Sequence, residues 1–303
     1  MILVTGGEGY LGGRIVDYLA SGGLQVRVGG RVEKKGVVKI DLADQKSLEK
    51  ACKGVECIIH LAAMNAPDCE KSPENALLSN GLGTLKLINA AIKEGVKKFI
   101  YFSTSHVYGS SLVGIVGEKT LTRPVNHYSI THKIAEDYLM LETSRGAITG
   151  TVLRLTNAVG YPKSKRANCW MLFVNNICKQ VVETKKIKIK SDPLIKKDFI
   201  PISAVCSLIS FVMDKDLNNE VFNISSGALL SLNDMALLVQ KRARSVLNFT
   251  PEIIFSNDFE NNQNDLLEIS SKKLKSFGFD AELDLSNEID ELLLNCREWF
   301  GAE

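Results

Sequence analysis

VTGGEGYLGG, residues 4–13, decides the fold. An apolar run from residue 2 feeds into it, and an amphipathic segment, 12–20, leaves it. Glycines at 6, 9 and 12, with two more at 7 and 13, predict a tight strand-to-helix turn whose backbone amides no Cβ obstructs. Amides of that kind, at the N-terminus of a first helix, suit a pyrophosphate. The backbone of Gly6, Gly9, Tyr10, Leu11 and Gly12 is the candidate cradle.

Outward from the turn, short β-branched runs alternate with amphipathic segments, the pattern of a parallel sheet covered by helices. Strands are predicted at 2–5, 24–28, 37–40, 57–61, 98–103 and 150–155, and helices at 12–20, 45–51, 74–94 and 128–143. Beyond Asn157 the pattern becomes mixed. A helix is expected over 170–184 and a basic β-like run over 186–190. A strand or turn followed by a helix is expected over 199–213, and a strand over 221–224. A short strand at 252–255 and an amphipathic helix at 285–300 complete the chain, with 257–265 read as an exposed loop. The expected fold is α/β: a doubly wound parallel-sheet Rossmann domain (1–157 plus about 199–224) with a smaller mixed α/β substrate-binding domain (158–198 plus 225–303).

The charge balance is +2, so nothing calls for nucleic acid or a membrane surface as partner, and no apolar run is long enough to span a bilayer. The seven cysteines are scattered and contain no CxxC, which predicts reduced, buried thiols rather than disulfides or a zinc site. Met1 runs straight into the first strand without a leader, and together these predict a cytoplasmic protein. All four histidines lie in the first half, but His127 and His132 are five apart, off the spacing of a helical ligand pair, and no metal is expected.

A site that prefers NAD places Asp or Glu at the end of the second strand, to bind the ribose hydroxyls. Here that point reads Val28, Gly29, Gly30, Arg31. With no carboxylate to repel a 2′-phosphate and an arginine to meet it, the cofactor is NADP or NAD, with NADP slightly favoured. Asp41 and Leu42 follow the third strand as adenine contacts, and Leu61, Ala62 and Ala63 close the fourth.

In order along the chain stand VTGGEGYLGG, DLAD, IIHLAA, NGLGT, FSTSHVYG, YSITHK, LRLTNAVGYP, KDFIPIS and FNISSG. Together they resemble the extended short-chain dehydrogenase/reductases, in the NAD(P)-dependent sugar-nucleotide epimerase/dehydratase branch. The resemblance implies a nucleotide-diphosphate sugar substrate, a homodimer, and chemistry by a hydroxyl, a tyrosine and a lysine. Thr104 and Tyr128 match the first two. Asn80 matches an asparagine that shapes the cofactor site, and Asn157 one that contacts substrate. Ser105 and His106 occupy positions that are Asp and Glu in the 4,6-dehydratases, which argues against dehydration. His106 then lines the substrate pocket or serves as a structural donor.

The family lysine falls four residues after the tyrosine, and here that residue is His132. A family Glu four further on matches Glu136, so the register puts His132, not Lys133, in the lysine position. Helix geometry agrees: at about 100° per residue, position 132 lies some 40° from Tyr128 and position 133 about 140° away. His132 can still meet a ribose hydroxyl, but it is a poorer cation and leaves Tyr128 mostly protonated. The expected activity is hydride exchange at a sugar carbon, as an epimerase working through a transient keto intermediate or as a 4-keto reductase. The alternative is a non-catalytic dinucleotide-binding sensor or scaffold.

Overall fold

Strands that read as unbroken apolar runs need cover on both faces, and a parallel sheet between helices supplies it. The structure, a computed structural model, describes residues 1–109, 114–215, 217–256, 267–280 and 282–301. Seven parallel strands lie in the spatial order Glu220–Ile224, Thr149–Leu155, Lys98–Thr104, Cys57–His60, Ile2–Thr5, Val26–Gly30 and Val37–Lys39. Helices Tyr10–Ser21 and Ile202–Asp214 cover one face, burying Ile15, Leu19, Val205 and Ile209. Helices Gln45–Cys52, Thr84–Lys93 and His127–Ser144 cover the other with Leu48, Leu87, Ala135 and Leu139. This is a doubly wound Rossmann fold. Chain order reverses between Ile2–Thr5 and Cys57–His60, the switch point beyond whose C-terminal strand ends such sheets bind ligands.

A separate core lies in the second half. It joins helices Phe173–Thr184, Leu232–Leu247 and Leu285–Phe300 through Ile177, Val181, Met235, Val239, Leu292 and Leu293. Small sheets border it: Asn157–Val159 with Lys196–Pro201 and Leu229–Ser231, and Lys186–Ile189 with Glu252–Phe255. The two halves are bound by a buried clamp. Nη1 and Nη2 of Arg14 donate to the Glu288 carboxylate, at 3.0 and 2.9 Å. Glu288 Oε1 also accepts from the Ser203 amide at 2.7 Å, in the first turn of Ile202–Asp214.

Several boundaries differ from expectation. The helix expected over 74–94 is three pieces: Pro73–Ala76, a π-helical turn Leu77–Gly83, and Thr84–Lys93, with Ala66–Lys71 before them. Apolar spacing does not register the extra residue of a π turn, which here sets Asn80 inward. The helix expected from Trp170 starts at Phe173, because the Trp170 indole N–H donates back to the Lys165 carbonyl and its own carbonyl accepts from Asn176. The second strand begins at Val26 because a glycine turn at 22–23 uses Leu24, whose amide bonds Leu19. Helix is expected within 225–303 without bounds, and it falls at Leu232–Leu247; strands Gly114–Val116, Asn157–Val159, Leu229–Ser231 and Leu267–Ile269 were not expected. The expected loop 257–265 lies outside the described residues. All seven cysteines are buried and unpaired.

Candidate active site

The glycine turn leaves the C-terminal end of Ile2–Thr5, at the switch point. Gly6 holds φ +67°, and a Cβ there would come within 2.9 Å of the Ala62 amide nitrogen. A Cβ at Gly12 would overlap the Gly6 carbonyl, so only glycine lets the helix start this close to the strand. No side chain caps helix Tyr10–Ser21, which leaves its first amides open to an anion. The Tyr10 hydroxyl turns away, donating to the Ala158 carbonyl and Asn175 Oδ1 at 3.1 Å each, so only its backbone serves the turn. Leu11 packs against the first-face core. Thr5 Oγ1 accepts from the Leu61 and Ala62 amides, anchoring the end of the fourth strand, and Ala63 is exposed beside them.

Thr104 ends the central strand Lys98–Thr104 and is 4 % exposed. Tyr128 and His132 lie one turn apart on helix His127–Ser144, started by an Asn126–Ser129 capping box. The His132 ring meets the Tyr128 ring edge-on at 4.4 Å. Burial pushes the Tyr128 phenol up to about 12, with a further rise from Cys69 partly offset by the Thr104 hydroxyl. Burial, and then His106, lower His132 to about 3. The pair is therefore a neutral phenol beside a neutral imidazole. His132 is 3 % exposed; its Nδ1 lies 2.6 Å from the Tyr101 hydroxyl, and its Nε2 has no hydrogen-bond partner.

Lys133 is on another face of the helix and pairs with Asp137 one turn on. Asn80, 1 % exposed, is fully engaged in structure: it accepts from the Met64 amide at 2.7 Å and donates to the Met64 carbonyl and to Thr131 Oγ1. Asp41 turns to the surface, accepting from the Ala43 amide and pairing with Lys39, while Leu42 packs against Gly83. Asn157 donates to the Asp198 carbonyl at 2.8 Å. Asp198 itself is held by Thr156, Ser226 and the Gly227 amide. Ser105 and His106 form the 3₁₀ turn after Thr104, with the His106 ring 6.2 Å from that of Tyr128. Surrounding protein and the half-buried Lys197 ammonium hold His106 below its usual value. Desolvation lowers Lys197 in turn. Among the described residues no three His, Cys, Asp or Glu side chains group as a metal site.

Two residues escaped the sequence reading. Glu8, inside the glycine turn, pairs with Lys34 and lies so close to Gly30 that a Cβ there would strike its carboxylate. A negative charge thus reaches the end of the second strand, near exposed Arg31, from a different segment. Tyr101 was hidden because it reads as one more apolar strand residue. The only signal for either was side-chain chemistry at a position assigned to backbone or core. The arrangement fits a dinucleotide: an uncapped helix start, a turn free of Cβ atoms and an unmet ring nitrogen beside the candidate acid–base tyrosine.

A family model described as NAD dependent epimerase/dehydratase family matches residues 2–225. A putative UDP-glucose 4-epimerase of Methanocaldococcus jannaschii is 25% identical, covering 97% of this chain and 97% of its own length. A dTDP-glucose 4,6-dehydratase of Streptomyces niveus is 27% identical over 79% of this chain and 76% of its own. The structure of RMD from Pseudomonas aeruginosa complexed with NADPH superposes with a TM-score of 0.84 at 20% identity, covering 98% and 99% of the two chains.

Proposed function

We propose, from the premise that the chain belongs to the NAD dependent epimerase/dehydratase family, that it exchanges a hydride at a ring carbon of a nucleoside-diphosphate sugar. The observation that carries this reading is the convergence of Thr104, Tyr128 and the unpartnered, buried Nε2 of His132 at the end of the central strands. The bound dinucleotide supplies the hydride acceptor or donor. The amides of the glycine turn hold its pyrophosphate, and His132 Nε2 meets a ribose hydroxyl. Thr104 holds the reacting sugar oxygen while Tyr128 gives or takes its proton. Lys197 and Asn157 flank the sugar nucleotide, the lysine as a half-buried cation for the diphosphate.

A phenol at about 12 is in its proton-donating form at neutral pH, which supports net ketone reduction. Epimerisation through a transient ketone is the second reading, supported by the family's own description. Ser105 and His106 lack the two carboxyl groups that water elimination would use, so we read the chain as no dehydratase. A purely sensing role gains no support from a site in which Thr104 and Tyr128 stand together. Arg31 supports NADP, and Glu8 weighs towards NAD.

The domain boundaries proposed are those of the separate cores, with 1–157 and about 199–224 holding the dinucleotide and the rest the sugar nucleotide. The buried, unpaired thiols support a reducing, cytoplasmic setting. No described helix is long and apolar enough to cross a membrane. Ile130, Tyr138 and Leu141 on His127–Ser144, with Leu78 and Leu82 beside them, are exposed, and we assign this face to a second copy of the chain. Sedimentation of the purified chain as a dimer is expected, and a monomer at micromolar concentration would remove the assignment.

The reaction is tested with nucleotide sugars, their 4-keto forms and both dinucleotides. Tyr128→Phe should lower turnover by about 10²–10⁴-fold while dinucleotide affinity stays within about twofold. Full turnover in that variant would exclude Tyr128 as the proton-transfer residue.

A further inference from the structure

Position 132 presents a ring with two nitrogens in unequal circumstances. Nδ1 faces the Tyr101 hydroxyl at 2.6 Å, and Nε2 is buried without a partner. Tyr101 lies on the central strand Lys98–Thr104, is 2 % exposed, and stacks between His60 at 5.6 Å and His132 at 5.8 Å. Two proton arrangements satisfy the short contact. In one, Tyr101 donates its single proton to Nδ1, so the imidazole proton resides on Nε2. In the other, Nδ1–H donates to the phenol oxygen, and the phenol proton must find another acceptor.

No second acceptor is at hand among the described residues. The neighbouring His60 spends both nitrogens on Thr5 and Thr84, at 2.6 and 2.9 Å. Glu136, a turn beyond His132, is occupied by Ser103 and by both Nε and Nη2 of Arg154. The second arrangement therefore leaves two polar groups unmet, a phenol O–H and a bare Nε2, where the first leaves one. Burial reinforces the choice by holding Tyr101 well above and His132 well below their ordinary values, so both remain neutral.

We propose that Tyr101 is a positioning residue that locks His132 in its Nε2–H tautomer, so that this position offers a neutral, directed hydrogen-bond donor to its ligand. That the ligand is a dinucleotide hydroxyl rests on the function proposed above; the tautomer itself does not. A lysine at this position could turn any of three N–H groups towards a hydroxyl, whereas an imidazole donates from Nε2 only if something else claims Nδ1. Tyr101 makes that claim from the floor of the site.

The test uses the full chain labelled with ¹⁵N-histidine. Four histidines are present, and His132→Gln assigns the signal. Long-range ¹H–¹⁵N spectra of the unliganded protein should show a pyrrole-like Nε2 and a pyridine-like Nδ1 for His132, and Tyr101→Phe should shift the ring towards a tautomer mixture. A pyrrole-like Nδ1 in the unsubstituted protein, or a Tyr101→Phe spectrum with the tautomer unchanged, overturns the proposal. Dinucleotide affinity, read by calorimetry, supplies the second arm. Tyr101→Phe should weaken it about fivefold, but by less than twofold when His132→Lys is already present, because lysine needs no tautomer control. An equal loss in both backgrounds would mark Tyr101 as merely structural and also overturn it. Absence of dinucleotide binding by the unsubstituted chain would instead strike the function proposed above, leaving the spectra to decide the tautomer.

Discussion

Exchanging His132 for lysine should speed proton transfer through Tyr128 and change its pH profile. The imidazole packs against the Tyr128 ring at 4.4 Å and is neutral, so it does nothing to offset the burial that pushes the phenol up to about 12. A lysine ammonium roughly 5 Å from the phenol oxygen, at an effective dielectric near 20, contributes about 3 kcal/mol, or about two pKa units. Tyr128 would then titrate near about 10. At pH 8 the phenolate fraction would rise from roughly one in ten thousand to about one in a hundred. A less basic phenolate takes a proton less readily, which offsets about a factor of ten. Alcohol oxidation should therefore gain about tenfold near neutrality, and ketone reduction should gain by a similar factor, because the more acidic phenol, still protonated at pH 8, gives up its proton more readily.

The assay is kcat/KM in both directions between about pH 6 and 10.5. In the unsubstituted enzyme, oxidation should climb about tenfold per pH unit without a plateau, since its base titrates beyond that range. In His132→Lys the climb should bend near about pH 10. A profile unchanged in shape and height, in a folded variant that still binds dinucleotide, would refute the electrostatic reasoning.

Acid should unfold the protein through its buried imidazoles. Burial lowers His60 and His132 to about 3, so the unfolded chain takes up their protons near pH 6.5 while the folded one does not. Stability from these rings is complete above about 6.5 and falls as pH drops towards about 3, by about 1.4 kcal/mol per pH unit for each histidine. Urea midpoints across that window should show the slope, and His60→Gln should remove about half of it; an unaltered slope would remove His60 from the account. Glu8→Gln should raise affinity for NADP relative to NAD about tenfold, because it deletes the carboxylate beside Gly30 and frees Lys34. Calorimetry with both dinucleotides reads this, and a constant ratio would mean that Glu8 does not meet the 2′ position.

Much of the central sheet was legible in the sequence because its strands are apolar on both faces and the glycine turn has few structural uses. The placement of His132 was legible too, since a 3.6-residue period ties it to Tyr128 and to Glu136, and the same period sends Lys133 to Asp137. The π turn at Leu77–Gly83 was not, because its extra residue leaves the apolar spacing nearly unaltered. Glu8 was hidden for a different reason: its partners, Gly30 and Lys34, are brought to it only by the pairing of the first two strands. The role of Tyr101 depends on a contact with a residue 31 positions away, across the join of helix and sheet. Local pattern reaches what neighbours in the chain decide; these features are decided by neighbours in space.

The clamp between Arg14 and Glu288 spans 274 residues, nearly the whole length of the chain. On the ribosome, Glu288 is added 274 residues after Arg14. Until then the first helix carries a guanidinium in a setting built for a carboxylate, and Ile202–Asp214 lacks the acceptor that closes its first turn. The join between the first helix and Ile202–Asp214 is thus unfinished until Glu288 has been made, although all seven strands of the central sheet precede it in the chain. Completion comes from Leu285–Phe300, whose arrival closes the first helix.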